Sequence, residues 1–426
     1  MDYDAISPVD GRYSTETMPL RRYFSESALA EERMRVELAY LRLLVDLGVA
    51  PRLEVPEIRF SMARVKALEQ RVGHDVKAVE LYIRETLRAK KSAGLTPYVH
   101  LGLTSEDTNS VAFARLLSSA LREVMIPAYR DLALTLGRTA MNEAGTRMLA
   151  RTHGRPAVPT TFGREVSVFA VRLAERTAAL QRLKPMAKFS GAVGTYASFN
   201  LISKKDWPEV LKEFVSSMGL DFSTYSTQVV PGERLSDILH TVMNVNQIML
   251  SLARDLWMYQ MLEYIHFLRP GKVSSSTMPQ KVNPVDLENA EGQAEISNSI
   301  LSLVAYRLQV TRMQRDLSDS VIRRITGQGL AHSFLACVRL RGSLASLSVD
   351  RRRMRLDLAN HPEVYAEALQ LALRLGGDER GYEKTRALLE KRGFPRRRKP
   401  AGGYEGESRK LAALCESEVS RILDEV

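Results

Sequence analysis

Three serines, a threonine, two lysines and an asparagine crowd the run Gly271 to Pro284, G-K-V-S-S-S-T-M-P-Q-K-V-N-P. Serines compete with the backbone for its own hydrogen bonds. Pro279 and Pro284 each remove a donor and push the preceding residue extended. The run therefore reads as a loop, yet Met278, Lys281 and Asn283 are costly choices for a linker. Hydroxyls, a cation such as Lys281 and an amide such as Asn283 on a loop suit a lid over an anionic substrate. Taken as residue types alone, they also suit a polar surface connection.

Other clusters carry chemistry of their own. In Arg151-Thr152-His153-Gly154 the glycine and Pro156 make a turn that presents His153, whose titration range suits proton transfer at neutral pH. A lone histidine is more often structural. Leu103 to Asn109, L-T-S-E-D-T-N, has the form of a helix start, where free amides and hydroxyls bind carboxylates, although plain capping is the commoner use. Gly73-His74-Asp75 places a histidine beside another helix start, with Asp75 as the expected cap. Ser190 to Tyr196, S-G-A-V-G-T-Y, is a glycine turn allowing close backbone approach. Arg315-Asp316-Leu317-Ser318-Asp319-Ser320, with Arg323 and Arg324, offers guanidinium forks that fit phosphate. In isolation that cluster is the ordinary ion-pair surface of a helix. Ser7 to Tyr13, S-P-V-D-G-R-Y, is a turn bearing a cation and an aromatic ring.

These groups must be held by helices. Ala28 to Leu47 has helical apolar spacing and stops at Gly48 and Pro51, and Ile58 to Thr86 is helical with an interruption near Gly73. From Ser110 to Arg339 the helical pattern is long: Ser110 to Met148, Phe162 to Leu183, Leu235 to Phe267 and Asn289 to Met313, the third with an i, i+3, i+4, i+7 stripe. Met243, Ile248 and Leu250 widen that stripe, as expected of a helix buried on most sides and packed against other subunits. The expectation is an all-α chain of three domains. These are 1–104, a long central helical bundle over 105–339 containing the loop 271–284, and 340–426, with a Gly/Pro/Arg-rich hinge from Gly393 to Gly403.

The bounds are ordinary. The chain of 426 residues is 45% hydrophobic and 26% charged. It holds no apolar run of the ~18 residues that cross a membrane. Two cysteines, Cys337 and Cys415, make neither a disulfide framework nor a zinc site. The acidic Met1-Asp2-Tyr3-Asp4 start lacks an apolar signal core, so a cytoplasmic protein is expected. A net charge of +11 admits nucleic acid as a partner. The densest basic run, Lys391 to Lys399, is broken by glycine and proline and lacks interleaved aromatics beyond Phe394, so neither nucleic acid nor membrane is expected as a partner.

The string S-S-T-M-P-Q-K-V-N-P resembles the signature of the fumarase/aspartase superfamily. With S-P-V-D-G-R-Y, H-D-V-K-A-V-E, T-S-E-D, R-T-H-G, G-A-V-G-T-Y and R-D-L-S-D-S, the chain from Ser7 to at least Arg324 resembles the adenylosuccinate lyase family of the bacterial type. The resemblance implies a helical three-domain subunit, a homotetramer with sites shared between three subunits, and no metal or organic cofactor. It implies elimination of fumarate from adenylosuccinate, giving AMP, and from SAICAR, giving AICAR. Ser276 would be the general base, its alkoxide stabilised by loop amides and Lys281. Lys281 and Asn283 would stabilise the carbanion, His153 would protonate the departing nitrogen, and Glu288 would partner a site histidine. Substrate would meet Arg12, Tyr13, His74, Asp75, Thr104, Ser105 and Gln228, with Arg315, Ser320 and Arg324 at the phosphate end.

Two departures stand out. Arg155 occupies a place where the family usually has glutamine, and a cation there could lower the pKa of the acid histidine or meet substrate differently. Gly73 replaces a common asparagine, leaving one substrate hydrogen bond missing or made by backbone. Another fumarate-releasing lyase, such as one acting on argininosuccinate or in specialised metabolism, is the alternative. The Arg315–Arg324 cluster argues against argininosuccinate, which has no phosphate. A basic RNA-binding scaffold without activity is a further alternative, opposed by the intact Ser276, Lys281, Asn283 and His153.

Overall fold

The structure is a computed structural model that describes residues 4–267, 278, 280–392 and 404–425. Ser276 and the rest of 268–277 lie outside the described residues, as does the expected hinge at 393–403. The chain forms two compact units. One comprises residues up to 127 with 179–244 and 295–335; the other comprises 128–178, 245–294 and 336 onward. Helices dominate both, and the strands make only small two-stranded sheets. The all-α expectation holds.

In the first unit, Glu26–Asp46, Met62–Val72, Asp75–Ala89 and Ser105–Ala120 pack around an aromatic core. Tyr40 meets Phe189 at 5.2 Å and Phe214 at 6.1 Å between ring centroids, and Phe199 meets Trp207 at 5.4 Å. Rings at such separations add to the free energy of burial. The Tyr40 hydroxyl donates to the Leu101 carbonyl at 2.9 Å, so the core fixes the segment that leads into Thr104. Gly73 ends its helix with φ of 67°, a left-handed conformation that glycine adopts without strain. The cap that follows is His74, whose Nδ1 accepts from the Lys77 N–H at 3.3 Å. This corrects the expectation of an Asp75 cap: Asp75 spends its carboxylate on the Val76 N–H and on two arginines.

The helical run expected from Ser110 to Met148 is interrupted twice. One wide π turn, Leu121–Met125, precedes Pro127. It makes room for a ring that would strike the carbonyl four residues back. The run then stops at Asn142. Met148 belongs instead to the strand Arg147–Thr152, which pairs antiparallel with Arg155–Thr161. Arg151-Thr152-His153-Gly154 is thus not a simple link between helices; its last two residues form the tip of a hairpin. His153 and Gly154 both have positive φ, 53° and 72°. Two such residues match the right-handed twist of the flanking strands. Threonines and the two prolines, 156 and 159, suit a two-stranded ribbon better than a helix.

Leu235 to Phe267 also ends early, the helix spanning Glu233–Met261. Ile265–Phe267 is a strand paired with Leu347–Val349. The off-stripe Ile248 and Leu250 are buried within the chain. Val285–Arg307 stops before Met313. Among the described residues no helix is long and apolar enough to cross a membrane.

Candidate active site

The first unit carries the expected substrate residues, and two carboxylates that the sequence reading left unassigned tie Thr104, Gln228 and Arg315 together. Asp107 is fully buried in the first turn of the Ser105–Ala120 helix. Its carboxylate accepts the Thr104 N–H at 2.9 Å, the Ser190 N–H at 2.9 Å and the Gly191 N–H at 3.2 Å. Lys188, also fully buried, completes the set at 2.7 Å and donates to the Gly191 carbonyl at 2.7 Å. The glycine turn is thereby fastened to the helix start that carries Thr104 and Ser105. Gly194 is required where it stands, because a Cβ there would collide with the Ser226 carbonyl. The turn so admitted brings in Gln228, which donates to the Ala192 carbonyl at 3.0 Å.

Glu106 anchors the arginines. It meets Arg315 at 3.1 Å and Arg323 at 3.0 Å, and Asp319 meets Arg323 at 3.2 Å. Arg315 also donates to the Gln228 side-chain oxygen at 3.0 Å. Beside them, Asp75 bridges Arg33 at 2.9 Å and Arg324 at 3.1 Å, and Arg33 donates to Asn109 at 2.8 Å. Burial alone would raise the Glu106 carboxyl, but Arg323 and Arg315 outweigh it and hold the pKa below its ordinary value. Asp75 behaves alike, burial being overcome by Arg33 and the Val76 N–H. Burial lowers the pKa of Lys188 despite the opposing Asp107.

A cavity of about 410 Å³ opens onto Arg33, Asp75, Ser320, Arg323 and Arg324, with Met62, Val65 and Phe113 as apolar wall. A second cavity, also about 410 Å³, joins Arg324 to Ser7 and Asp10 of the N-terminal turn. Arg12 is exposed and Tyr13 half-buried on that turn, and His74 is exposed. The same cavity bears Glu26, Glu69 and Glu106, so its guanidinium groups already face carboxylates, and an anion entering beside Ser320 would compete with Asp75 for Arg324; the Thr104–Ser105 helix start can meet a carboxylate.

Comparison with known proteins decides the lineage. A family profile described as Lyase matches residues 11–296, and one described as Adenylosuccinate lyase C-terminal matches 311–398. The adenylosuccinate lyase of Haemophilus influenzae is 34% identical over 403 residues, spanning 90% of this chain and 88% of its own. That of Escherichia coli K12 is 35% identical with the same coverage. The chain belongs to the adenylosuccinate lyase family. In fold it is similar to the 3-carboxy-cis,cis-muconate lactonizing enzyme of Pseudomonas putida, with TM-score 0.78, 22% identity, and 95% and 97% of the two chains covered. A fumarate lyase from Mesorhizobium gives 0.74 at 20% identity, covering 96% and 97%.

The second unit of this family member carries the remaining expected residues. His153 stands exposed at the hairpin tip, and Arg155 is exposed just after it. The hairpin is braced two residues before the histidine. Arg151 donates to the Tyr264 hydroxyl at 2.9 Å and to Asp357 at 2.5 Å, and Tyr264 also donates to Asp357. Within the signature loop Lys281 is exposed and Asn283 half-buried, and past it Glu288 accepts from the Trp257 indole at 3.2 Å.

Sequence reasoning missed the pair Glu37–His100, 2.6 Å apart, with Thr108 donating to the same carboxylate oxygen at 2.7 Å. Burial would lower the His100 pKa, but Glu37 outweighs it and raises it. The only local signal was a histidine two residues before Gly102, with nothing to mark a glutamate far upstream as its partner.

Proposed function

We propose that the chain eliminates fumarate from adenylosuccinate to give AMP, and from SAICAR to give AICAR. The observation that carries this reading is the single polar circuit in the first unit. Through Glu106 and Asp107 it joins Thr104, Gln228 and Arg315, and Ser320 and Arg324 line the cavity beside it. Such a site offers a helix N-terminus to a carboxylate and guanidinium forks to a phosphate. Argininosuccinate has no phosphate to place beside Ser320 and Arg324.

The chemistry assigned to the second unit follows the family pattern. Ser276 takes the proton beside the carboxylate. Lys281 and Asn283 stabilise the carbanion, and loss of one such interaction costs about 3 kcal/mol in the barrier. His153 donates to the departing nitrogen, and its hairpin tip, fixed by Arg151, presents it to substrate. Glu288 partners a site histidine. Arg12, Tyr13, His74 and Asp75 complete the substrate contacts, with Gly73 placing His74 through its backbone. No cofactor enters these steps. The working form is a homotetramer of three-domain subunits with sites shared between subunits.

The test is fumarate release by purified Ser276→Ala and His153→Ala variants given adenylosuccinate. Each is expected to lose roughly 10²- to 10⁴-fold in kcat while the oligomer persists. A near-normal rate in either variant contradicts the role assigned to it.

A further inference from the structure

A buried ion pair is poor evidence for stability, because desolvation offsets most of the attraction between its members. Asp107 and Lys188 are both fully buried, yet they sit where two chain segments bearing substrate residues meet. The carboxylate gathers amides from the helix start at Thr104 and from the turn at Ser190 and Gly191. The ammonium neutralises it and holds the Gly191 carbonyl. Ser190 adds a hydroxyl contact to Ser226 at 2.9 Å, two residues before Gln228. Gln228 returns the circuit to Arg315, and Arg315 returns it to Glu106, the neighbour of Asp107.

We propose that Asp107 and Lys188 are positioning residues. Together they hold Thr104, Ser105, Gln228 and Arg315 as one preformed, electrically balanced cradle for the anionic substrate. This rests on the reading that those residues bind adenylosuccinate. Within the cradle Asp107, Glu106 and Asp319 are balanced by Lys188, Arg315 and Arg323. Removing the ammonium alone leaves an uncompensated carboxylate under the helix N-terminus. That charge repels the substrate anion and frees the Gly191 carbonyl to turn. Removing both charges restores the balance.

The experiment measures KM, kcat and Tm with adenylosuccinate for the intact chain, Lys188→Met, Asp107→Asn, the two combined, Ser190→Ala and Gln228→Ala. Lys188→Met is expected to raise KM about tenfold or more with kcat within about threefold, and the double variant to recover much of that KM despite carrying two changes. Ser190→Ala, a smaller change, should raise KM severalfold at nearly unchanged Tm, and it decides the matter if Lys188→Met does not fold. The proposal is overturned if KM is unchanged in folded Lys188→Met, if the double variant is as weak as the product of its single effects, or if Ser190→Ala leaves KM untouched. Gln228→Ala separates the two levels. If it leaves KM unchanged, the substrate reading fails; if it raises KM while the buried pair does not matter, only the present proposal fails.

Discussion

Glu106 is the residue on which the arginine cluster converges, and its behaviour with pH follows from its surroundings. Its folded pKa lies below the ordinary 4.5 because Arg323 and Arg315 overcome the effect of burial. A depressed carboxylate contributes stability that is fully present above the unfolded pKa. That stability is lost as pH falls through the folded value. Melting temperature should therefore drop on acidification below about pH 4.5. Glu106→Gln, which leaves Arg315 and Arg323 to share Asp319 alone, should cost about 3 kcal/mol at neutral pH and flatten that acid limb. Thermal unfolding of both proteins from pH 7 to pH 3, at roughly unit steps, checks this. His100 has the opposite sign. Its pKa is raised above 6.5 by Glu37, so its contribution is full below that value and is lost as pH rises through the folded one. Glu37→Gln should weaken the alkaline loss of stability, as read by the same melts.

Among the elements, the hairpin Arg147–Thr161 makes the sharpest demand on sequence. Gly154 has φ of 72° with open space around its Cα, so only its conformation requires glycine. Gly154→Ala should cost about 1 to 2 kcal/mol of local strain and lower kcat by displacing His153, with global melting little changed. Steady-state kinetics beside a melting curve test this, and an unaltered kcat would mean that the hairpin tip does not set the position of the acid. The hairpin also marks the limit of what the sequence made legible. Long helices were evident because apolar residues recur at their own period, and the helix start at Thr104 was evident from its hydroxyl and acidic residues. The strand Arg147–Thr152 was not, because its six residues are too few to display a two-residue period against the helix before them. Asp107, Lys188, Arg33 and Glu37 were missed for another reason. Their partners are distant in sequence, and only burial distinguishes a pairing charge from a surface charge.

At the scale of the molecule, a few exposed apolar side chains share one helix face. Ile296, Leu303 and Tyr306, on the helix Val285–Arg307, are 46%, 47% and 66% exposed. Their spacings of seven and three residues put them on one face of that helix, as in the seam of a coiled-coil-like contact. An exposed apolar stripe of this kind suits burial against another subunit. The proposed tetramer gives it a partner. Leu303→Glu with Tyr306→Glu should break the assembly, and sedimentation of the variant should give a smaller species. An unchanged sedimentation coefficient would place the interface elsewhere.

The central claim is that a dianion site and a succinyl-carboxylate site belong to one phosphate-bearing substrate. Fumarate release by the purified protein, with adenylosuccinate, SAICAR and argininosuccinate offered separately, tests it most directly. Release is expected from the first two and none from argininosuccinate. Release from argininosuccinate alone, or from none of the three, would contradict it.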